Sequence, residues 1–299
     1  MKRSSKQQGK HTRRHGIKMA ISALSGGLLG AGASKLAAAH VPQLASGIPT
    51  APEDALTGTQ FADAVSNVDR EQREELILDQ LLKGNLPCFL RKLVPVQLEH
   101  RTESGKRLAA TIFVMPEYLA IGEDHDFLRI PMNLHTAVAV ADRLGFLLPT
   151  RKMVDAIYDQ SAFHFTPQPL PAGPRMTSTA YYRTHNAMID QQSKARGLRL
   201  GALVSGHKKD VVMTNRLISH PGQIAIYGWH RATGDPIQPL STVHGAGYAD
   251  YSHGIRLVSR MAVVDGKLQP VSEILLDSSL AKILSDEGTI HLATALGRA

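Results

Sequence analysis

The hydrophobic periodicity changes near Gly201, and this change constrains the fold more than any other feature of the sequence. Before Gly201, apolar residues recur every three or four positions in runs such as "NLHTAVAVADRLGF" and "TRKMVDAIYDQSA", which is typical of helices that bury one face. After it, runs such as "QIAIYGW" and "IRLVSRMAVVDGKLQPV" are shorter and broken by Gly and Pro, which is typical of strands. The sequence therefore predicts an α+β fold, with helices mainly in the first half and a mixed or antiparallel sheet mainly in the second half.

Capping and turn residues place individual elements. Asp69, Thr150 and Ser178 each precede a helical pattern, where a short polar side chain can accept a hydrogen bond from the first turn. The runs "FLRKLVPVQLEHR" and "RLAATIFVMP" flank the turn "TESGK" and predict an antiparallel hairpin. Asp265-Gly266 predicts a second hairpin turn.

The positive charge of the chain lies at its N-terminus. The sequence has 34 Lys and Arg against 26 Asp and Glu, and eight of these bases but no acid fall within residues 1–39. The remaining chain is therefore formally neutral. This distribution argues against binding to nucleic acid, which would need a basic surface on the folded part.

Residues 1–39 resemble a twin-arginine export signal. Arg13 and Arg14 form the pair, a run of small apolar residues follows, and Ala37-x-Ala39 matches a cleavage site. Glycines and Lys35 interrupt the run, which argues against a stable membrane span. We therefore predict an export signal over 1–39, a linker over 40–60 and a single α+β domain over 61–299, with the export machinery as a partner and a periplasmic or secreted location. A disordered basic tail is the alternative for the N-terminus.

Reactive side chains concentrate between residues 207 and 256. Each of two histidines, His244 and His253, is followed by a glycine, which lets the backbone approach a ligand while the imidazole acts as acid, base or metal ligand. The candidate site residues are His207, Lys209, Asp210, His230, His244, Asp250, Tyr251, Ser252, His253 and Arg256.

The stretch "VHGAGYADYSHGIRLV" resembles the L,D-transpeptidase signature, in which a His-Gly pair precedes Ser-His-Gly-Cys-Ile-Arg-Leu. His244-Gly245 matches the first pair, and Ser252 to Leu257 match the remainder except for the cysteine, the nucleophile of that family, which has no counterpart here. The resemblance covers about fifteen residues and implies acyl transfer on cell-wall peptides. The same stretch resembles the metal-binding signature SxHxxGxAxD of zinc D,D-peptidases, with one residue more after Ser241 and one fewer before Asp250.

Three kinds of chemistry remain open for this site. Ser252 and His253 could act as nucleophile and base, although neighbouring residues on a strand point to opposite faces. A divalent transition metal such as zinc could be held by some of the residues His207, His230, His244, Asp250 and His253. In that case Lys208, Lys209 or Arg256 could stabilise an anionic intermediate. Without a metal, His with Tyr or Asp could provide general acid and base on a polymer substrate, with Trp229 as a stacking platform for a sugar.

The leading functional hypothesis is an exported hydrolase or acyl-transferring enzyme that acts on a cell-wall or other extracellular polymer. The alternative from another class is a non-catalytic exported protein that binds glycan or peptide on an aromatic platform of Trp229, Tyr248 and Tyr251. A third reading gives the cluster no ligand and has its histidines and tyrosines hydrogen-bonding turns.

Overall fold

The computed structural model describes residues 47–296, so the predicted export signal lies outside the described residues. Within this range the α-helices are α1 (Gly58–Ala64), α2 (Arg70–Leu82), α3 (Leu134–Leu144), α4 (Arg151–Asp159), α5 (Thr179–Ala195), α6 (Arg216–Ser219), α7 (Val271–Leu276), α8 (Ala281–Leu284) and α9 (Leu292–Ala295). The strands are β1 (Val94–Arg101), β2 (Arg107–Val114), β3 (Ala120–Glu123), β4 (Asp126–Arg129), β5 (Phe146–Leu147), β6 (Phe163–His164), β7 (Val204–Ser205), β8 (Lys209–Val211), β9 (Gln223–His230), β10 (Pro236–Gly245), β11 (His253–Gly254), β12 (Val258–Val264) and β13 (Lys267–Pro270). Single 3₁₀ turns span Cys88–Arg91 and Pro174–Thr177.

Two sheets organise the chain. One has the order β1-β2-β12-β13, with β5 added to β12, and all of its pairings are antiparallel. The other has the order β10-β9-β8-β11, and its outer pair β8–β11 is parallel. The predicted α+β class is confirmed, because the longer helices precede residue 196 and most strands follow it.

The predicted caps begin their helices. The Asp69 carboxylate accepts a hydrogen bond from the backbone of Gln72, and the Thr150 and Ser178 hydroxyls accept equivalent bonds in α4 and α5. The predicted hairpins also form, with Val94 opposite Val114 and Val264 opposite Lys267. Local chemistry therefore placed these elements correctly.

The packed part of the chain begins earlier than predicted. Ile48 is buried in the core, and Gly58 begins α1 with its Cα against the backbone of Phe127 and Leu128. Ile48 and Gly58 therefore pack against the domain, within the range 40–60 for which the sequence predicts a linker, while most of residues 47–60 are exposed.

No helix between residues 47 and 296 is long and apolar enough to cross a membrane.

The segment Ile255–Leu257 crosses from one sheet to the other. It joins β11 to β12, and its residues are fully buried. The backbone carbonyls of Ile255 and Leu257 accept hydrogen bonds from Leu119 and Met115, at 2.8 and 3.0 Å, so the segment is fixed against the chain that follows β2. This crossing holds β11, and with it His253, in a defined position.

Candidate active site

The parallel pair β8–β11 positions the candidate residues. His253 lies opposite Lys209 and Gly254 lies opposite Asp210, and the Lys209 amide donates to the Ser252 carbonyl at 2.7 Å. Aligned residues on neighbouring strands point to the same side of a sheet. The pair therefore has a Lys209 face, which carries Lys209 and His253, and an Asp210 face, which carries Asp210 and the side of Gly254 where a side chain would stand.

His253 is the centre of the Lys209 face. Its side chain is fully buried, and neither ring nitrogen has a hydrogen-bond partner. The ring of Tyr248 packs edge-on against it at 5.7 Å and stacks on the ring of His244 at 4.2 Å. Since Tyr248 and His244 are both half-buried, they connect the buried imidazole with solvent.

Asp250 lies near His253, and both of its carboxylate oxygens accept hydrogen bonds. Oδ1 accepts from the Ser252 amide at 2.7 Å and from the Ser252 hydroxyl at 2.5 Å, and Oδ2 accepts from the Tyr248 hydroxyl at 3.1 Å. The Ser252 hydroxyl thus bonds to Asp250, and it has no bond to His253. The structure does not bring together the serine nucleophile and histidine base that the sequence left open.

Burial and charge set the protonation of this pair. Burial lowers the pKa of His253 to about 4, although the Asp250 carboxylate opposes the shift. Burial alone would raise the pKa of Asp250, but the facing His253, the Ser252 hydrogen bonds and the nearby Lys209 hold it below its ordinary value. At neutral pH the face therefore contains a neutral imidazole beside a charged carboxylate.

Lys209 and Trp229 complete the face. The half-buried Lys209 ammonium lies over the Trp229 ring, 5.1 Å from its centroid. Trp229 is 6% exposed, its indole Nε1 has no partner, and its backbone has a positive φ of 57°. The left-handed backbone costs about 1–2 kcal/mol in a residue other than glycine, so the surrounding contacts hold this conformation.

The Asp210 face is closed. The Tyr118 hydroxyl donates to Asp210 Oδ2 at 2.8 Å, and burial raises the pKa of Asp210 to about 6. The Arg256 guanidinium lies 4.4 Å from the Tyr118 ring centroid and donates to the carbonyls of Met115 and Val204 at 2.8 and 2.7 Å. Arg256 therefore binds backbone in the interior, away from the Lys209 face.

Gly254 allows the Tyr118 ring to approach β11. A Cβ at this position would lie 2.6 Å from Lys208 Cβ and 2.7 Å from Tyr118 Cδ1, both inside van der Waals contact. The glycine of the Ser-His-Gly sequence thus has a packing role. It lets Tyr118, which bonds to Asp210, pack against the side of β11 opposite His253.

We expect Gly254→Ala to lower the free energy of unfolding by about 1–3 kcal/mol, because the added methyl must displace packed atoms. Gly247→Ala is the matched control, since a Cβ on Gly247 would meet nothing within 4 Å. Urea denaturation of both variants measures the difference. Equal stabilities would contradict the packing role.

A second buried cluster contains His207. Its Nε2 lies 2.7 Å from Glu117 Oε1, and Glu117 Oε2 accepts from Arg129 Nε at 3.0 Å. Arg129 also donates to Asp190 at 2.7 Å and to Asn186 at 3.0 Å. Burial opposes ionisation of Glu117, but His207 and Arg129 hold its pKa well below the usual range. His207 therefore belongs to an internal ion network.

The remaining predicted residues are dispersed. His230 lies 3.3 Å from Asp155 and stacks on Tyr158 of α4. The Tyr251 hydroxyl bonds to the backbone of Leu170, and its carbonyl accepts from Lys208 Nζ at 2.6 Å. Burial lowers the pKa of Lys208 to about 7. These side chains support the fold around the site, and of them Tyr251 packs edge-on against the Trp229 ring at 6.4 Å.

Two alternatives from the sequence find little support in the geometry. Among residues 47–296, no three His, Cys, Asp or Glu side chains lie close enough together to hold a metal ion. A stacking platform needs exposed rings, and Trp229 and Tyr251 are 6% and 2% exposed. Of the three proposed platform rings only Tyr248 is accessible, and it stacks on His244.

Sequence reasoning missed Glu117, Tyr118 and Arg129. All three are buried and lie at least 78 positions before the nearest candidate, His207. The one available signal is a charged residue set among apolar neighbours, as in "IFVMPEYLAI", which indicates a buried charge without naming its partner.

No known family model, no curated protein and no solved structure matches this chain.

Proposed function

We propose that this chain is an exported hydrolase or acyl-transferring enzyme that acts on a cell-wall or other extracellular polymer, with His253 as its general base. One observation carries the proposal. His253 is a buried neutral imidazole with both nitrogens unpartnered, and it lies beside a charged carboxylate and an ammonium on a face that reaches solvent. An unpartnered buried polar group is costly, so such a group at a half-open face favours a functional role.

The chemistry follows from the groups on this face. The neutral His253 removes the proton from an attacking water or from the amine or hydroxyl of an acceptor, and the nucleophile adds to a substrate carbonyl carbon. The Lys209 ammonium has three N–H donors and stabilises the negative oxygen of the tetrahedral intermediate through one of them. When the carbonyl re-forms, the bond to the leaving amine or alcohol breaks, and the protonated His253 returns its proton to that group.

Asp250 has a positioning role in this scheme. Its negative charge stabilises the imidazolium that forms transiently on His253. Its own orientation is fixed by the bonds from Ser252 and Tyr248. The bonded Ser252 hydroxyl is a support for the carboxylate, so the scheme needs no serine nucleophile.

The exported location is proposed because residues 1–39 resemble a twin-arginine signal. A protein delivered outside the cytoplasm meets the cell wall and other extracellular polymers. The local resemblance of residues 243–258 to a cell-wall transpeptidase signature points to the same substrates.

The test is incubation of the purified full chain with isolated peptidoglycan and with soluble amide and ester substrates in H₂¹⁸O. Mass spectrometry of the products distinguishes the two reactions, because hydrolysis places ¹⁸O in the new carboxyl group and transfer to an added amine does not. We expect product from wild type and from His220→Asn, an exposed histidine in a turn, and about a hundredfold less or lower from His253→Asn. Equal product from wild type and His253→Asn would overturn the proposal.

A further inference from the structure

Trp229 adopts a backbone conformation that its position in a strand does not explain. Between residues 47 and 296, positive φ in a residue other than glycine occurs at Trp229 and Asp265. Asp265 lies in the two-residue turn between β12 and β13, where positive φ is required. Trp229 lies within β9, next to Gly228, which also has positive φ. Strain of this kind concentrates at ligand sites.

This conformation places the indole beneath Lys209. The Trp229 amide donates to the Lys208 carbonyl at 3.0 Å, which ties the strained residue to the start of β8. The Lys209 ammonium then lies over the indole, whose buried N–H has no partner in the protein. A buried donor without an acceptor destabilises the folded state unless a ligand supplies the acceptor.

The Lys209 ammonium is also unused. In the described part of the chain it makes no hydrogen bond and no ion pair, and it lies over the Trp229 ring with the Asp250 carboxylate nearby. The face thus combines an ammonium, an indole N–H and the two free nitrogens of His253. The ammonium and the indole N–H both donate hydrogen bonds, and the ammonium also carries a positive charge, which suits an anionic oxygen ligand.

The charge of the face limits which anion fits. Asp250 carries a negative charge near both Lys209 and His253 and is held by its own hydrogen bonds. One lysine against one carboxylate leaves the face close to neutral, so a doubly charged phosphate would be repelled more than a singly charged carboxylate.

We propose that Lys209 and the Trp229 indole N–H bind a free carboxylate of the substrate beside His253, so that the substrate class is a peptide or polymer with a carboxylate next to the bond that is cleaved. This inference rests on the proposed function, because it assigns the cleaved bond to His253. It also gives a role to the strained backbone of Trp229, which presents the indole to Lys209.

Trp229 is the only tryptophan of the chain, so intrinsic fluorescence reports directly on this subsite. The full-length protein is titrated with two acetylated dipeptides that differ only at the C-terminus, one a carboxylate and one a carboxamide, and with inorganic phosphate. We expect saturable binding of the carboxylate form, about tenfold or more tighter than the carboxamide or phosphate. Isothermal titration calorimetry with the same ligands detects binding that does not change the fluorescence.

Variants identify the groups. Lys209→Met is expected to weaken the carboxylate form about tenfold, and Trp229→Phe, measured by calorimetry, should weaken it by removing the N–H while keeping a ring. Lys106→Met, which changes an exposed lysine, should bind as wild type does. Equal affinity for carboxylate and carboxamide, or unchanged binding in Lys209→Met, would overturn the subsite.

The outcomes for the subsite and for the function are separable. His253→Asn should keep the carboxylate preference while losing turnover. Turnover in wild type without a carboxylate preference would overturn the subsite and leave His253 as the base. The protein could instead show a carboxylate preference that depends on Lys209 and yet turn over no polymer. That result would support an anion-binding site and overturn the proposed catalysis.

Discussion

Arg129→Met is expected to lower the free energy of unfolding by about 3–5 kcal/mol, because it removes one member of a buried ion network. Arg129 is 4% exposed and bonds to Glu117 and Asp190, at 3.0 and 2.7 Å. Methionine would leave the buried Glu117 carboxylate with His207 as its remaining side-chain partner. Urea denaturation at pH 7 measures the loss.

The control for this prediction is Arg151→Met. The Arg151–Asp286 pair has the same 2.7 Å distance as Arg129–Asp190, but both of its side chains are 40% exposed. Exposed pairs contribute about 0–1 kcal/mol, so this variant should be nearly neutral. Similar losses in the two variants would contradict the claim that burial makes the Glu117–Arg129 network costly to break.

His253→Asn should lower kcat/KM by about 10²- to 10⁴-fold, the usual contribution of a positioned general base. Asparagine keeps a polar side chain but cannot take up a proton at neutral pH. The variant is assayed on whichever polymer the wild type cleaves, and near-UV circular dichroism and the melting temperature show whether the fold is kept.

A second substitution protects this test against unfolding. His253 is fully buried, so a smaller side chain leaves a cavity that can destabilise the protein. His253→Gln fills more of that space, and it should be as inactive as His253→Asn. A folded variant of either kind with near wild-type kcat/KM would remove His253 from the mechanism.

Much of the secondary structure could be predicted because its signals are local. Asp69, Thr150 and Ser178 each cap a helix within three residues of their own position, and Asp265-Gly266 forms a two-residue turn. Such contacts depend on chemistry a few bonds away. These elements can therefore be predicted without knowledge of the long-range packing.

The arrangement of the site could not be predicted in the same way. The parallel pairing of β8 with β11 joins residues more than 40 positions apart, with the β9–β10 hairpin between them in the sequence. Only this register separates Lys209 and His253 on one face from Asp210 on the other. No spacing rule in "SGHKKDVV" or "YADYSHGIRLV" indicates which strand lies beside which.

Residues that are neighbours in the sequence also suggested a shared catalytic role, but their side chains bond to different partners in the structure. Ser252 and His253 are adjacent, yet the serine hydroxyl bonds to Asp250 while the imidazole has no partner. Arg256 follows the same signature and donates to backbone carbonyls in the interior. Arg256 is buried against Tyr118 and Met115, which come from a distant part of the chain. Its role therefore depends on long-range packing.

The pH dependence of kcat/KM tests the central claim, that His253 acts as a neutral base beside Asp250. A base that must be unprotonated gives activity that rises with pH through its pKa, so the account predicts an acid limb near pH 4 followed by a plateau. Asp250→Asn removes the negative charge that raises the pKa of His253, so the limb should move to lower pH. An acid limb that stays in place in Asp250→Asn, or activity that falls as pH rises from 4 to 7, would contradict the account.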